Sequence, residues 1–226
     1  MKKTELIQEI REAAIIAIIR GVEHEKLPPL LDALAAGGLR FAEITFDQTG
    51  RTSDRETAQS IAELKKHMAG RMHIGAGTVM TVGQADRAMT AGAEFLISPN
   101  VNPEVIRHTV AAGCVSIPGA MTPTEAAVAY ESGADFVKLF PADTLGLSYI
   151  KALMAPLSHI PFLAVGGVNE RNIGDFLATG LAGVGVGSAL TPIEWIANES
   201  YQQITEHANR YCNVVQNHRN YFGKRA

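Results

Sequence analysis

The sequence predicts a single (β/α)8 barrel, and three observations carry that expectation. Short runs of β-branched and aliphatic residues alternate with longer helical patterns almost from end to end. Each strand-plus-helix unit takes roughly 20–28 residues, the size of a βα unit. Eight such units fill most of the 226 residues, which suits a compact barrel better than a doubly wound sheet. No Pro- or Ser-rich linker breaks the alternation, so residues 1–226 read as one domain.

The strands are expected at 15–19, 41–46, 73–76, 95–98, 115–117, 136–140, 162–165 and 183–187. Helical patterns fall near 24–36, 53–69, 81–91, 102–112, 122–132, 147–156 and 169–179. An amphipathic helix at 1–13 precedes the first strand. A helical extension, 196–226, follows a helix starting near Ile193, and its main helix runs roughly 201–217. Its tyrosines and asparagines suit packing on the body or on a neighbouring subunit. Gly92, Gly113, Gly133 and Gly180 mark helix ends, where the chain must turn through left-handed backbone. Asn102-Pro103-Glu104 and Thr122-Pro123-Thr124-Glu125 read as N-caps followed by proline in the first turn.

Composition narrows the function. Hydrophobic residues make up 46% of the chain and charged ones 19%, enough for a full core. The formal net charge is −3, without a basic stripe, so no nucleic-acid partner is expected. An anionic substrate must then be held by a few placed donors. Cys114 and Cys212 fit no metal-ligand spacing and read as incidental thiols in a reducing compartment. The apolar run 13–19 is too short to span a membrane and lacks a cleavage-site pattern, so a cytoplasmic protein with no membrane partner is expected.

One lysine stands apart. Seven of the eight lie in helical or terminal segments among polar neighbours, whereas Lys138 lies in an apolar strand between Val137 and Leu139. Strand side chains alternate, so Phe136, Lys138 and Phe140 share one face. Helix-facing positions are aliphatic, as Val137 and Leu139 are, which points Lys138 into the barrel near its C-terminal rim, where barrel active sites lie. Lost hydration lowers an amine's pKa. At a reference pKa near 10.4 only about 0.04% is neutral at pH 7, but at about 7.5 roughly a quarter is. That suits a nucleophile forming an imine; the alternative is a structural lysine paired with a carboxylate.

The same parity puts Glu43, Thr45 and Asp47 on the interior face of the second strand, with Ala42, Ile44 and Phe46 outward. Glu43 serves either as counter-ion to Lys138 or as the acid/base group that imine chemistry needs. Arg20 leaves the first strand at the rim, where its planar fork suits a carboxylate or a loop salt bridge. Thr78, after Gly75-Ala76-Gly77, either bonds a carboxylate or caps the next helix. The glycine-rich segments 165–169 and 183–189 follow strands seven and eight, a usual phosphate position in barrels, or are simply tight turns.

With those residues in view, the chain resembles the 2-keto-3-deoxy-6-phosphogluconate (KDPG) / 4-hydroxy-2-oxoglutarate (KHG) aldolase family over nearly all of residues 7–195. The resemblance rests on Glu-Ile-Thr-Phe at 43–46, Gly-Ala-Gly-Thr-Val at 75–79, Ile-Ser-Pro-Asn at 97–100 and Ile-Pro-Gly at 117–119. It continues with Thr-Pro-Thr-Glu at 122–125, Val-Lys-Leu-Phe-Pro-Ala at 137–142, Val-Gly-Gly-Val at 165–168 and Gly-Val-Gly-Ser at 185–188.

The resemblance implies a class I (Schiff-base) aldolase, commonly a homotrimer, with no metal or other cofactor. It implies Lys138 as the Schiff-base lysine and Glu43 as general acid/base. Arg20, Thr78 and Pro99 would bound the keto-acid end, Phe140 would flank the imine, and Gly166, Gly167 and Ser188 would hold phosphate. The expected reaction is reversible cleavage of a 2-keto-3-deoxy-6-phosphosugar acid to pyruvate and glyceraldehyde 3-phosphate, with 4-hydroxy-2-oxoglutarate as a further substrate. Asp47 departs from the family, in which many members carry arginine there and others a neutral residue. It is expected either to pair with Arg20 or to meet another part of the substrate, such as a hydroxyl. The rival readings are a phosphate-binding barrel isomerase or synthase using Lys138 and Glu43 without an imine, and a non-catalytic sugar-acid binding protein.

Overall fold

The computed structural model describes residues 2–222. Its strands are β1 (Ile15–Ile19), β2 (Phe41–Thr45), β3 (His73–Gly77), β4 (Phe95–Ile97), β5 (Val115–Ile117), β6 (Gly119–Ala120), β7 (Val137–Leu139), β8 (Phe162–Val165) and β9 (Gly183–Val186). They run in the order β5-β4-β3-β2-β1-β9-β8-β7-β6, every neighbouring pair parallel. The two ends of that order are consecutive in the chain, separated only by Pro118. Proline has no N–H for a ladder. The fifth strand is divided at this point, in register with β4 before Pro118 and with β7 after it, while the Ser116 carbonyl already accepts from the Asp135 and Phe136 N–H groups. Nine segments fill eight positions, and the ring closes through the chain itself.

The helices are α1 (Lys3–Ala13), α2 (Leu27–Ala36), α3 (Asp54–His67), α4 (Val82–Thr90), α5 (Pro103–Ala111), α6 (Pro123–Glu131), α7 (Ala142–Met154), α8 (Ile173–Leu177), α9 (Ile193–Ala197) and α10 (Tyr201–Phe222). The caps form as expected. Thr122 closes a capping box with Glu125, and the Asn102 side chain accepts from the Glu104 N–H. Gly92, Gly113, Gly133 and Gly180 all take positive φ at helix ends.

Three helices differ most from the sequence reading. The helix expected over 169–179 shrinks to α8, because Asn172 accepts from the Asn169 N–H and both side chains donate to the Gly167 carbonyl. Such side-chain bonds offer the backbone an alternative to helix. The helix expected from 147 gains a turn starting at Ala142, broken from the rest by Gly146 at φ 75°, ψ 157°. The C-terminal helix runs to Phe222, beyond the expected 217. Residues 223–226 of the expected extension lie outside the described ones.

Alternation along the strands sorts the core into two parts. Outward residues such as Ala17, Ala42, Ile44, Val137, Leu139 and Ala164 pack under the helices. Inward residues Ile16, Phe41, Phe95, Ile97, Val115, Phe136 and Leu163 fill the lower barrel together with Leu6 and Ile10 of α1. The N-terminal helix is thus a plug for the floor, held also by a Lys3–Asp135 ion pair at 2.9 Å. At the outer wall, α10 buries Ile204, Ala208, Tyr211 and Val215. Its Thr205 hydroxyl donates to the Ala33 carbonyl at 3.0 Å, so the extension packs on its own body.

Glycine supplies the room this interior needs. A Cβ on Gly75 would lie 2.3–2.5 Å from three ring atoms of Phe95, which is fully buried on the neighbouring strand. Overpacking of this kind costs about 1–3 kcal/mol. Gly75→Ala should therefore lower the urea midpoint by that equivalent, with an unchanged denaturant slope.

Candidate active site

Each site residue that the family resemblance implies, apart from Glu43 and Lys138 on the strands, lies in the loop after a strand's C-terminal end. Arg20 follows β1, Thr78 follows β3, Pro99 follows β4, Phe140 follows β7, Gly166 and Gly167 follow β8, and Ser188 follows β9. Parallel strands put all these ends on one rim.

Glu43 and Lys138 are buried on the interior face, 1% and 5% exposed, a rare state for either residue type. Phe41 and Phe136 lie one step below them and belong to the apolar floor. Above, the Lys138 Nζ sits 4.7 Å from the centroid of the Phe140 ring. A Cβ on Gly77 would lie 2.4 Å from Glu43 Oε1, so only the bare glycine leaves space for that carboxyl. Gly119 stands in register with Lys138, and a Cβ there would meet the Pro99 carbonyl at 2.5 Å. Pro99 thereby closes the wall beside the lysine.

The two charged heads share this interior without a direct ion pair, interacting only through their charges, and Glu43 Oε2 is buried with no hydrogen-bond partner. Burial pushes the Glu43 carboxyl up to about 7, while the positive charges of Lys138 and Arg20 pull the other way. Burial lowers the Lys138 pKa, opposed by Glu43 and reinforced by Arg20. Near neutrality the carboxyl can both hold and release a proton, and the amine is more available as a nucleophile.

At the rim, Arg20 Nη2 donates to Thr78 Oγ1 at 3.2 Å. Thr78 is 8% exposed and takes φ 57°, a left-handed conformation that a β-branched residue avoids. Such strain costs about 1–3 kcal/mol and persists where surrounding contacts impose it. Capping of α4 falls to Thr81, whose hydroxyl accepts from the Gln84 N–H, and not to Thr78. Gln48 Nε2 donates to the Thr78 carbonyl at 3.3 Å. Nothing in the sequence pattern pointed to Gln48.

Of the two alternatives for Asp47, pairing with Arg20 does not occur in the structure. Asp47 Oδ1 accepts from the Thr49 N–H, its Oδ2 from the N–H groups of Arg51 and Thr52, and both from the Thr49 hydroxyl. These bonds hold its carboxyl at about 2. It borders a cleft of about 710 Å³ that Arg20, Thr45 and Arg51 also line. Neither Lys138 nor Glu43 lines that cleft. A second cleft of about 480 Å³ lies across Arg20 and includes Gly187, Ser188 and Thr191. Gly166 and Gly167 take φ 93° and 75°, and their loop neighbours that of Ser188 because β8 pairs with β9.

A family model described as KDPG and KHG aldolase matches residues 6–207. The chain belongs to that family. A probable 2-dehydro-3-deoxy-6-phosphogalactonate aldolase of Rhizobium meliloti is 41% identical over 180 residues, covering 79% of this chain and 82% of that protein. A 2-dehydro-3-deoxy-phosphogluconate aldolase of Treponema pallidum is 33% identical over 93% of this aldolase and 97% of its own length. Among solved structures, the KDPG aldolase of Legionella pneumophila superposes with a TM-score of 0.81 at 30% identity, covering 92% of this chain and 97% of that one. That protein was captured with pyruvate as a covalent carbinolamine intermediate.

The raised Glu43 pKa makes stability pH-dependent. Folded Glu43 keeps a proton that the unfolded chain releases near 4.5, so its contribution falls as pH rises from 4.5 to about 7 and stays unfavourable above. Glu43→Gln removes that cost. Its stability relative to the wild type should rise across this window, by on the order of 3 kcal/mol, as read by urea unfolding at several pH values.

Proposed function

We propose that this aldolase cleaves a 2-keto-3-deoxy-6-phosphosugar acid reversibly to pyruvate and glyceraldehyde 3-phosphate through a Schiff base on Lys138. The observation that carries the reading is a buried lysine and a buried glutamate held in one barrel interior without pairing. An unpaired buried polar atom costs about 1–3 kcal/mol, a cost that reacting groups make useful. The covalent pyruvate adduct of the Legionella pneumophila relative supports the same chemistry.

In the cleavage direction the neutral Lys138 amine adds to the C2 ketone, giving a carbinolamine. Glu43 donates the proton with which hydroxide leaves as water, and the resulting iminium becomes the electron sink. Glu43, now a carboxylate, takes the C4 hydroxyl proton as the C3–C4 bond breaks, releasing the aldehyde and leaving an enamine. Protonation at C3 and hydrolysis return pyruvate and the free amine. Arg20 and Thr78 hold the keto-acid carboxylate, Pro99 bounds that end, and Phe140 covers the imine. Gly166, Gly167 and Ser188 receive the phosphate. The carboxylate of 4-hydroxy-2-oxoglutarate suits the same proximal donors, so cleavage to pyruvate and glyoxylate belongs to the proposal.

The active assembly we propose is a homotrimer acting in the cytoplasm. Among the described residues, Met121, Val128, Tyr130 and Tyr149 are large hydrophobic side chains left exposed, which supports a contact face near α6 and α7. No helix among the described residues is long and apolar enough to cross a membrane.

Borohydride with pyruvate should add a reduced adduct to the wild type at one site, read by intact-protein mass, and Lys138→Ala should take none. Equal labelling of that variant would remove the assignment, and no trapping of the wild type would favour an acid/base isomerase. Glu43→Gln should still bind pyruvate but lose roughly 10²–10⁴ in kcat for retro-aldol cleavage.

A further inference from the structure

The loop after β2 is built around one carboxylate. Asp47 gathers the N–H groups of Thr49, Arg51 and Thr52 at 2.8–3.0 Å, together with the Thr49 hydroxyl. Both ends of the loop are anchored as well. The Phe46 N–H donates to the Gly77 carbonyl at 2.8 Å, and Ser53 closes a capping box with Glu56 at the start of α3. Between these anchors lies Gln48, whose side chain folds back to the Thr78 carbonyl at 3.3 Å.

Thr78 needs such support. Its left-handed backbone is unfavourable for threonine, and three contacts oppose relaxation. Gln48 holds its carbonyl, Arg20 holds its hydroxyl, and the following Val79 N–H donates to the Ile97 carbonyl at 3.1 Å. Rotation of Thr78 to negative φ would swing the carbonyl away from Gln48 and the hydroxyl away from Arg20.

We propose that Asp47 and Gln48 are positioning residues for the aldol reaction. They hold Thr78 in the conformation that presents its hydroxyl, and with it Arg20, to the keto-acid carboxylate. The inference rests on the reading that Thr78 and Arg20 bind that carboxylate. It gives Asp47 a role without substrate contact: the acid shapes the loop, and the loop sets the donors.

A positioning role has a distinct signature. If only a fraction of molecules holds Thr78 correctly, apparent affinity falls by that fraction while turnover at saturation is unchanged. The measurement is the pyruvate concentration giving half-maximal borohydride trapping, alongside kcat for cleavage and the thermal midpoint. Gln48→Glu keeps the side chain's shape but removes the N–H, and Asp47→Asn removes one of two acceptor oxygens. Each should raise half-saturating pyruvate roughly five- to tenfold, with kcat within about twofold. In a Thr78→Ala background, Gln48→Glu should add less than about twofold, because the hydroxyl it positions is gone.

Normal pyruvate affinity in Gln48→Glu and Asp47→Asn, with weakened affinity in Thr78→Ala, would overturn the proposal and leave the carboxylate reading intact. Full additivity of Gln48→Glu with Thr78→Ala, or a lowered thermal midpoint without any change in affinity, would also overturn it. Unchanged affinity in Thr78→Ala would remove the carboxylate reading and the proposal with it.

Discussion

Everything at the top of this barrel depends on keeping an amine and a carboxyl out of water without letting them neutralise each other. A direct Lys138–Glu43 bridge would satisfy both groups and remove them from chemistry. Their separation leaves a poorly hydrated amine that gives up its proton more readily and a carboxyl that keeps its own to about 7. Desolvation is the larger influence on both, so the pair depends on the walls that exclude solvent. Phe41, Phe95 and Phe136 form the floor, Phe140 lies over the amine, and bare glycines admit the bulky neighbours.

That arrangement divides labour along the barrel axis. The lower interior is apolar, plugged by Leu6 and Ile10 of α1, and requires nothing of its surroundings except close packing. The upper interior holds unsatisfied polar groups that only a rigid frame keeps in place. Its strain is concentrated at the rim, in the left-handed Thr78, where the loops after β1, β2 and β3 converge. The fifth strand joins the two sides of the ring, with residues before Pro118 in register with β4 and those after it in register with β7.

The sequence made the buried pair legible because strand parity is a strict rule and a charge in an apolar strand violates expectation. Lys138 and Glu43 both stood out on that ground. Loop residues have no comparable periodicity. Asp47 follows the interior parity of Glu43 and Thr45, yet the chain leaves β2 at Thr45, and the carboxylate turns to its own loop's N–H groups. Gln48 resembles any exposed polar residue until the fold brings Thr78 beside it, thirty positions away in the chain. In the sequence Gly77 is one of three small residues before Thr78; register sets Gly75 opposite Glu43, and only the side chain's three-dimensional path shows that Gly77 makes room for its carboxyl.

Legible from the chain alone were the barrel, the βα alternation, the helix caps, the inward direction of Lys138 and Glu43, and the ordered motifs of the aldolase family. All of these follow from local periodicity and residue type. Three-dimensional packing alone leaves the two charged heads unpaired, strains Thr78, turns Asp47 to its own loop's N–H groups instead of Arg20, and brings Gln48 to the Thr78 carbonyl. Those features arise from distances between segments remote in sequence. They are set by how closed strands and anchored loops share one small interior, which no local pattern encodes.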